Sequence, residues 1–315
     1  MPFTLVRGDI TRCPADAIVN AANPQLAQGG GVCGAIFAAA GPAQLAAACQ
    51  AAAPCPVGSA VHTPAFALPA KYIIHAVGPV WQGGTAGEAA LLRRCYLSAL
   101  TLAGQLGCRS IAFPLISAGL YGYPQDQAMA VATGAIREFL QDAELDVILC
   151  LYRQALPPDT VGAGLARYIA GHFNRPRMFP AAAPMSQQST VPGPRRLADV
   201  VAQLEDSFSQ MLLRLIDQRG MTDVQVYKRA NLDRKLFSKL RKEGYNPSKP
   251  TAIALAIALE LNLDQTQDLL RRAGYALSAS NKADVIVSYF IEEGIFDIYT
   301  INEALFAYGQ KLLGA

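Results

Sequence analysis

The chain has 315 residues, of which 52% are hydrophobic and only 16% are charged, against about 25% charged in an average soluble domain. The length predicts two domains, and the net charge of +3 is too small to indicate a nucleic-acid partner by itself. Residues 17–70 contain no Asp, Glu, Lys or Arg, yet polar residues, Gly and Pro interrupt every window before about 18 apolar residues accumulate. We therefore expect no membrane partner.

The start of the chain and the cysteines favour a cytoplasmic protein. Residues 1–9 lack the basic and then apolar organisation of a secretory signal. The seven cysteines contain no CxxC pair, so neither a zinc site nor a disulfide framework is indicated. We predict reduced thiols, no metal and no cofactor.

Strand and helix patterns alternate over the first half of the chain. Short apolar runs predict buried strands at 17–19, 72–77, 110–114 and 146–152, and helices are predicted at 34–39, 42–52, 89–104 and 127–141. This alternation is typical of an α/β fold with helices on both faces of a mostly parallel sheet. Ligands of such sheets bind beyond the carboxyl ends of the strands.

Residues 175–196 contain five prolines and no periodicity, which indicates an extended linker. After it, helices are predicted at 197–219, 222–230, 234–243, 251–261, 263–273, 283–293 and 301–313. Thr251 and Asp264 are expected to be N-caps. The predicted domains are therefore 1–174, α/β, and 197–315, all-α, joined by the linker.

Two glycine-rich loops follow predicted strands. The first, 29–34, has the GxGxxG spacing of a dinucleotide site, but no Asp or Glu occurs from residue 17 to residue 87, where that site needs one for a ribose. Three glycines at a helix N-terminus instead present N–H groups to an anion. The second loop, 117–122, is expected to close over the same anion. Since Lys and Arg are absent around the first loop, backbone dipoles would hold a diphosphate there; the alternative is that the glycines only make tight turns.

Five stretches resemble the macrodomain family, in the family's order: GDIT (8–11), ADAIVNAAN (15–23), GGGV (29–32), IHAVGP (74–79) and FPLISAGLYGYP (113–124). The likeness is closest to the branch known for O-acetyl-ADP-ribose deacetylase and ADP-ribosyl hydrolase activity. It implies a three-layer α/β fold with a mostly parallel mixed sheet, and a site for ADP-ribose.

The resemblance also implies a role for each site residue. Asp9, with the Ile10 backbone beside it, would accept a hydrogen bond from the adenine amino group, and Tyr152 would stack on adenine. Asn23 would bind the distal ribose and Tyr121 would pack on it. The diphosphate would be wrapped by Gly29, Gly30, Gly31, Val32, Ser117, Ala118, Gly119, Leu120 and Tyr121. The alternatives are a turn cap for Asp9 and core positions for the two tyrosines.

Two residues depart from the hydrolase branch, which commonly carries Asp and His where this chain has Cys33 and Phe37. Macrodomains without that Asp are known to hydrolyse, with the substrate's own phosphate thought to position the water. Cys33 has no activating base nearby in sequence, so we expect it to pack rather than to act as a nucleophile. His75 is expected to be a hydrogen-bonded core residue, and Asn20 to hold the loop backbone.

The reaction that these residues imply is hydrolysis at C1 of the distal ribose, in ADP-ribose esterified to protein Asp or Glu or in O-acetyl-ADP-ribose. Asn23 and Tyr121 would be the catalytic residues, since they orient that ribose, and the partner would be ADP-ribose or an ADP-ribosylated protein. Two other functions stay open. One is a non-catalytic ADP-ribose sensor that regulates the helical domain, and the other is a phosphatase acting on ADP-ribose 1-phosphate.

The second domain carries a local excess of positive charge, with nine basic and three acidic residues over 219–249. The helix spacing resembles the lambda-repressor-like helix-turn-helix domains over about residues 200–277. That resemblance implies contacts to DNA, or less readily RNA, from Arg234, Lys235, Ser238, Lys239 and Lys242. The alternative is an interaction module whose basic residues form a solvated face. Aromatic residues after 280 are expected to pack on the helices or to form a homodimer.

Overall fold

The computed structural model describes residues 2–152, 163–174, 206–242 and 244–314. The predicted linker, 175–196, lies outside these ranges, as do the first residues of the helix predicted at 197–219.

The first region contains a six-stranded sheet with the order β1-β6-β5-β2-β4-β3. The strands are Phe3–Arg7 (β1), Ala17–Ala21 (β2), Ala60–Pro64 (β3), Tyr72–Ala76 (β4), Ser110–Pro114 (β5) and Asp146–Leu151 (β6). Neighbouring strands are parallel except that β3 runs antiparallel to β4. The mostly parallel mixed sheet is thus confirmed, although β1 and β3 were not predicted.

Four helices cover the two faces of this sheet. They are Gly31–Ala40 (α1), Pro42–Ala52 (α2), Glu88–Gln105 (α3) and Gln125–Asp142 (α4). Successive side chains of a strand point to opposite faces, so Ile18 of β2 packs with α1 and α2 while Val19 packs with α3 and α4. The result is the expected three-layer α/β arrangement.

The second region is helical. Its helices are Ala163–Asn174 (α5), Phe208–Gln218 (α6), Asp223–Arg229 (α7), Arg234–Leu240 (α8), Lys249–Ala258 (α9), Leu263–Arg272 (α10), Lys282–Glu292 (α11) and Ile298–Ala307 (α12). Ser248 and Asn262 are the N-caps of α9 and α10, so the expected caps Thr251 and Asp264 are wrong. Helix α9 begins earlier because a proline, which lacks an N–H, fits the first turn.

Helix α5 precedes the predicted linker but packs with the helices that follow it. Leu165 and Ile169 are buried in the helical core. The Tyr168 hydroxyl donates to Glu292 of α11 at 2.9 Å, and its ring centroid lies 5.1 Å from that of Tyr289. The helical core therefore includes part of the predicted range 1–174.

The two regions pack against each other at the β1 edge of the sheet and along α4. Phe306 of α12 is buried in the cluster formed by α3, α4 and the sheet. Arg137 of α4 forms an ion pair with Asp297 at 2.6 Å, and its guanidinium carbon lies 4.9 Å from the Tyr299 ring centroid. The aromatic residues of the last helices are therefore used for packing within the chain, and they offer no support for the homodimer.

In the part of the chain that the structure describes, no single helix is long and apolar enough to cross a membrane. The one candidate by length and composition is α1 joined to α2, a pair bent by 114°.

Candidate functional site

A cavity of about 550 Å³ lies beyond the carboxyl ends of the parallel strands. Its wall comes from segments that follow β1, β2, β4, β5 and β6, and from the loop that opens α1. All the predicted ligand-binding residues line it except Ala118, which is buried. In the described part of the chain, Asp9 is the only charged residue that lines the cavity.

The first glycine loop leads directly into α1. The helix begins at Gly31, and its N-cap Gly30 makes no side-chain cap bond. The first N–H groups of a helix have no partner within it, so those of α1 are available to a bound anion. A Cβ on Gly34 would lie 2.8 Å from the Gly29 carbonyl oxygen, so the loop folds back on the helix where only glycine fits. The backbone N–H groups at the start of α1 therefore give this wall a positive potential.

The residues just before the second loop are held by Tyr96, and the loop itself contains a hydroxyl without a hydrogen-bond partner among the described residues. Ser117 has a φ of 66°, and its buried Oγ has no hydrogen-bond partner among the described residues. A Cβ on Gly78 would lie 2.3 Å from that Oγ. The buried Tyr96 hydroxyl donates to the Pro114 carbonyl at 3.3 Å and accepts from the Ile116 N–H at 3.0 Å. Ser117 therefore lies in the cavity wall with its hydroxyl buried against Gly78.

Asp9 and Tyr152 lie at one end of the cavity, because β1 and β6 are neighbours. Asp9 Oδ1 accepts from the Thr11 N–H at 3.0 Å and from the Thr11 hydroxyl at 2.8 Å. The turn-cap alternative is thus confirmed for Oδ1, while Oδ2 has no hydrogen-bond partner among the described residues. Tyr152 is 60% exposed, so the core alternative is wrong for this residue.

Asn23, which follows β2, and Tyr121 of the second loop line the same cavity. Asn23 donates to the Ala27 carbonyl at 2.8 Å and accepts from the Ala27 N–H at 3.0 Å. Its amide nitrogen and oxygen each retain one further bonding position. Partial burial, and then the nearby Cys33, raise the pKa of Tyr121, so its hydroxyl remains a hydrogen-bond donor at neutral pH.

Cys33 is 5% exposed and bonds to the loop before α1. Its Sγ accepts from the Gly29 N–H at 3.4 Å and donates to the Ala27 carbonyl at 3.9 Å. Phe37, one turn later, is fully buried. The thiol therefore stabilises the first loop, which agrees with the packing role expected for it.

His75 is a buried core residue, as predicted. Asn20 donates from Nδ2 to His75 Nδ1 at 3.1 Å, which leaves the Nε2–H to face the Thr63 hydroxyl at 3.0 Å. Burial lowers the pKa of His75 to about 4. The expectation that Asn20 holds the loop backbone is wrong, because β2 pairs with β4 in a register that places Asn20 beside His75.

Several residues of the cavity wall were not predicted, among them Gly78 and Cys150. Gly78 follows β4, and Cys150 lies near the end of β6. Because ligands bind beyond the carboxyl ends of parallel strands, both residues could have been found once the sheet order was known. The described residues contain no group of three or more His, Cys, Asp or Glu side chains that could hold a metal ion.

The predicted nucleic-acid contacts lie together on an exposed surface around α8, which we call the basic face: Arg234, Lys235, Ser238, Lys239 and Lys242. Elsewhere in 219–249, Arg229, Arg241 and Lys249 pair with carboxylates, and Arg219 and Lys228 bond to backbone carbonyls. Among the described residues, none forms an ion pair with the four cations of the basic face. The Ser238 hydroxyl donates to the Arg234 carbonyl at 3.0 Å.

Comparisons with known proteins concern the first region. The family model "Macro domain" matches residues 19–132. A macro domain-containing protein of Ralstonia nicotianae is 51% identical over 150 residues, 48% of this chain and 86% of that protein. O-acetyl-ADP-ribose deacetylase of Citrobacter rodentium is 53% identical over 140 residues, 43% of this chain and 78% of that enzyme. The structure of the Oceanobacillus iheyensis macrodomain with ADP is similar at 41% identity and a TM-score of 0.45, over 48% of this chain and 82% of that one.

Proposed function

This chain belongs to the macro domain family, and from that premise we propose that its cavity binds ADP-ribose and that the protein hydrolyses ADP-ribosyl esters. The substrates are ADP-ribosylated Asp or Glu on proteins, or O-acetyl-ADP-ribose. The observation that carries the proposal is the meeting of two glycine-rich loops on one cavity whose lining, among the described residues, includes no Lys or Arg. Relatives named O-acetyl-ADP-ribose deacetylase support the class of reaction.

The cavity has a different chemistry at each position along the strand ends. Adenine lies on Tyr152, with its amino group donating to Asp9 Oδ2. The diphosphate lies between the loops, where the N–H groups of α1 and the backbone of the second loop meet its oxygens. The distal ribose lies between Asn23 and Tyr121. Each group of the ligand thus lies against a part of the cavity wall whose chemistry matches it.

In the proposed reaction, water adds to the ester and the products are ADP-ribose and a carboxylic acid. Asn23 and Tyr121 orient the distal ribose, and the loops fix the diphosphate, which lowers the entropic cost of the attack. Among the described residues that line the cavity, Asp9 supplies the sole carboxylate, and it is at the adenine end. The water must therefore be positioned by backbone groups and by the substrate's own phosphate.

Binding and turnover are tested separately. Calorimetry should show binding of ADP-ribose and weaker binding of NAD and AMP, and an ADP-ribosylated protein should then release ADP-ribose. In H₂¹⁸O, attack at C1 of the ribose labels ADP-ribose, whereas attack at the acyl carbon labels the carboxylic acid. Binding without turnover would leave the ADP-ribose sensor, and release of phosphate from ADP-ribose 1-phosphate would identify the phosphatase. Absence of ADP-ribose binding would contradict all three functions.

The position of Cys33 provides a sharper test of the catalytic step. Cys33→Asp places a carboxylate in the cavity wall, where it can still accept a hydrogen bond from the Gly29 N–H. We expect its kcat to rise by about tenfold or more, since a positioned acid or base typically contributes 10²–10⁴-fold. Cys33→Ser is the matched control and should keep the wild-type kcat. If the Asp variant had the same kcat as the wild type, this result would contradict the placement of the attacking water near this loop.

We propose further that the basic face binds nucleic acid and thereby locates the enzyme. The supporting observation is that four exposed cations around α8 have no carboxylate partner among the described residues, whereas the other cations of 219–249 are engaged. Charge reversal of Arg234 and Lys239 to Glu should abolish salt-sensitive retention of duplex DNA in a filter-binding assay. Reversal of Arg93, an exposed residue paired with Glu138, is the control. Equal retention of both variants would rule out this face.

A further inference from the structure

We propose that Asn231, in the turn between α7 and α8, is a positioning residue for the adenine end of the ADP-ribose site. It acts by holding β1, the strand that leads into Asp9. The inference rests on the proposed binding of ADP-ribose and extends it, because it makes the helical region a part of the nucleotide site.

Asn231 forms two hydrogen bonds to one residue of β1. Its Oδ1 accepts from the Phe3 N–H at 2.7 Å, and its Nδ2 donates to the Phe3 carbonyl at 2.9 Å. The side-chain amide thus pairs with the strand as a neighbouring strand would. β1 is one of the two edge strands and, among the described strands, pairs only with β6, so Asn231 satisfies backbone groups on its open edge.

The turn holds Asn231 in one orientation. The residue is 2% exposed and has a φ of 54°, in the left-handed region that Asn tolerates better than most residues. A Cβ on Gly314 would lie 2.3 Å from the Ala230 carbonyl oxygen, so Gly314 packs directly on this turn. Asn302 of α12 in turn bonds to both the N–H and the carbonyl of Leu313. Movement of the amide is therefore restricted on several sides.

The other end of β1 is held by α12. The Arg7 guanidinium donates to the Phe306 carbonyl at 3.1 Å and lies 4.7 Å from the Phe306 ring centroid. At the start of the strand, the Phe3 ring lies 5.8 Å from that of Tyr299. The helical region thus contacts β1 at both its first and its last residue.

The consequence for the site follows from chain connectivity. Only Gly8 separates Arg7 from Asp9, and all three precede the 3₁₀ turn Ile10–Arg12. Asp9 is exposed and its recorded side-chain bonds go to Thr11, within the same turn. The position of its carboxylate therefore depends on where β1 ends, and a looser strand would affect the adenine end before the diphosphate end.

The test compares ADP-ribose with inosine diphosphate ribose, which lacks the adenine amino group. The variants are Asn231→Gly, which removes the amide without straining the positive φ, and Arg7→Gln, which releases the other end of β1. Asn246→Ala is the control, because Asn246 bonds to the Ala273 carbonyl within the helical region. Kd values for both ligands are measured by calorimetry on the full chain.

We expect the wild type and the control to prefer ADP-ribose, and both β1 variants to reduce that preference by about fivefold or more. Their affinity for inosine diphosphate ribose should change little, which a general loss of folded protein would not produce. An unchanged preference in both variants, with wild-type binding intact, would overturn the inference. Wild-type protein that does not bind ADP-ribose would instead overturn the proposed function.

Discussion

Gly78 shows how the cavity depends on a single missing side chain. A Cβ at this position would meet Ser117 Oγ at 2.3 Å and Ile116 Cγ2 at 2.6 Å. The neighbours cannot yield easily, because Ile116 is held through the Tyr96 hydroxyl. The strand that precedes Gly78 and the second loop are therefore in direct contact across the cavity wall.

We predict that Gly78→Ala displaces the second loop and weakens ADP-ribose binding by about tenfold or more, since losing even one bond to a charged group costs about 1.5–3 kcal/mol. The measurement is calorimetric titration beside a urea unfolding curve. Gly104→Ala on α3 is the control, because its Cβ would meet nothing within 4 Å, and it should bind normally. Equal affinities for the two variants would contradict the role of this contact.

Helix α12 carries a titrating residue into the contact between the two regions. Burial raises the pKa of Glu303 to about 7; a hydrogen bond from Thr133 of α4 opposes this shift. Asp297 raises the same pKa and Arg137 lowers it. The folded protein therefore keeps this proton to a higher pH than the unfolded chain, whose glutamate ionises near 4.5. Glu303 lowers stability progressively as pH rises from about 4.5 to about 7.

Glu303→Gln should remove this pH-dependent loss of stability. The free energy of unfolding of the variant, relative to that of the wild type, should therefore increase from pH 4.5 to pH 7. His75 acts in the opposite direction: its pKa is lowered to about 4, so stability falls as pH falls from about 6.5 to about 4. Urea unfolding of the Gln variant should thus show a steeper rise with pH than that of the wild type. Glu293→Gln, an exposed residue of the same region, should follow the wild type. Parallel pH profiles for all three proteins would contradict the buried carboxyl.

At the scale of the whole molecule, Phe306 joins the two regions into one packed body. It belongs to α12 but is buried in the cluster of α3, α4 and the sheet. Phe306→Ala should lower the free energy of unfolding by about 3–5 kcal/mol, and the first and second regions should then unfold in separable steps. Phe66→Ala, at a residue that is 39% exposed, should have a much smaller effect. The measurement is urea denaturation followed by near-ultraviolet and far-ultraviolet circular dichroism, and a single unchanged transition would contradict this coupling.

The strands and helices that depend on residues close together in the sequence could be predicted from the local pattern of the chain. Buried strands such as Ser110–Pro114 and amphipathic helices such as Gln125–Asp142 were found from their periodicity. The glycine loops were placed at strand ends, and the uncharged run from 17 to 70 includes Asn23 and the first glycine loop, which line the cavity. Strands β1 and β3 were missed because both lie at sheet edges, where the apolar signal is weak.

Only the tertiary structure decided which of these segments meet. The bond from Asn20 to His75 depends on strand register, and the place of Asp9 beside Tyr152 depends on the pairing of β1 with β6. The bonds from Asn231 to Phe3 join residues 228 positions apart. No local periodicity encodes such a contact, because it depends on how the helical region docks on the sheet. Sequence therefore determined the parts of the nucleotide site, and the packing of the helical region on an open sheet edge decided how one end of that site is held.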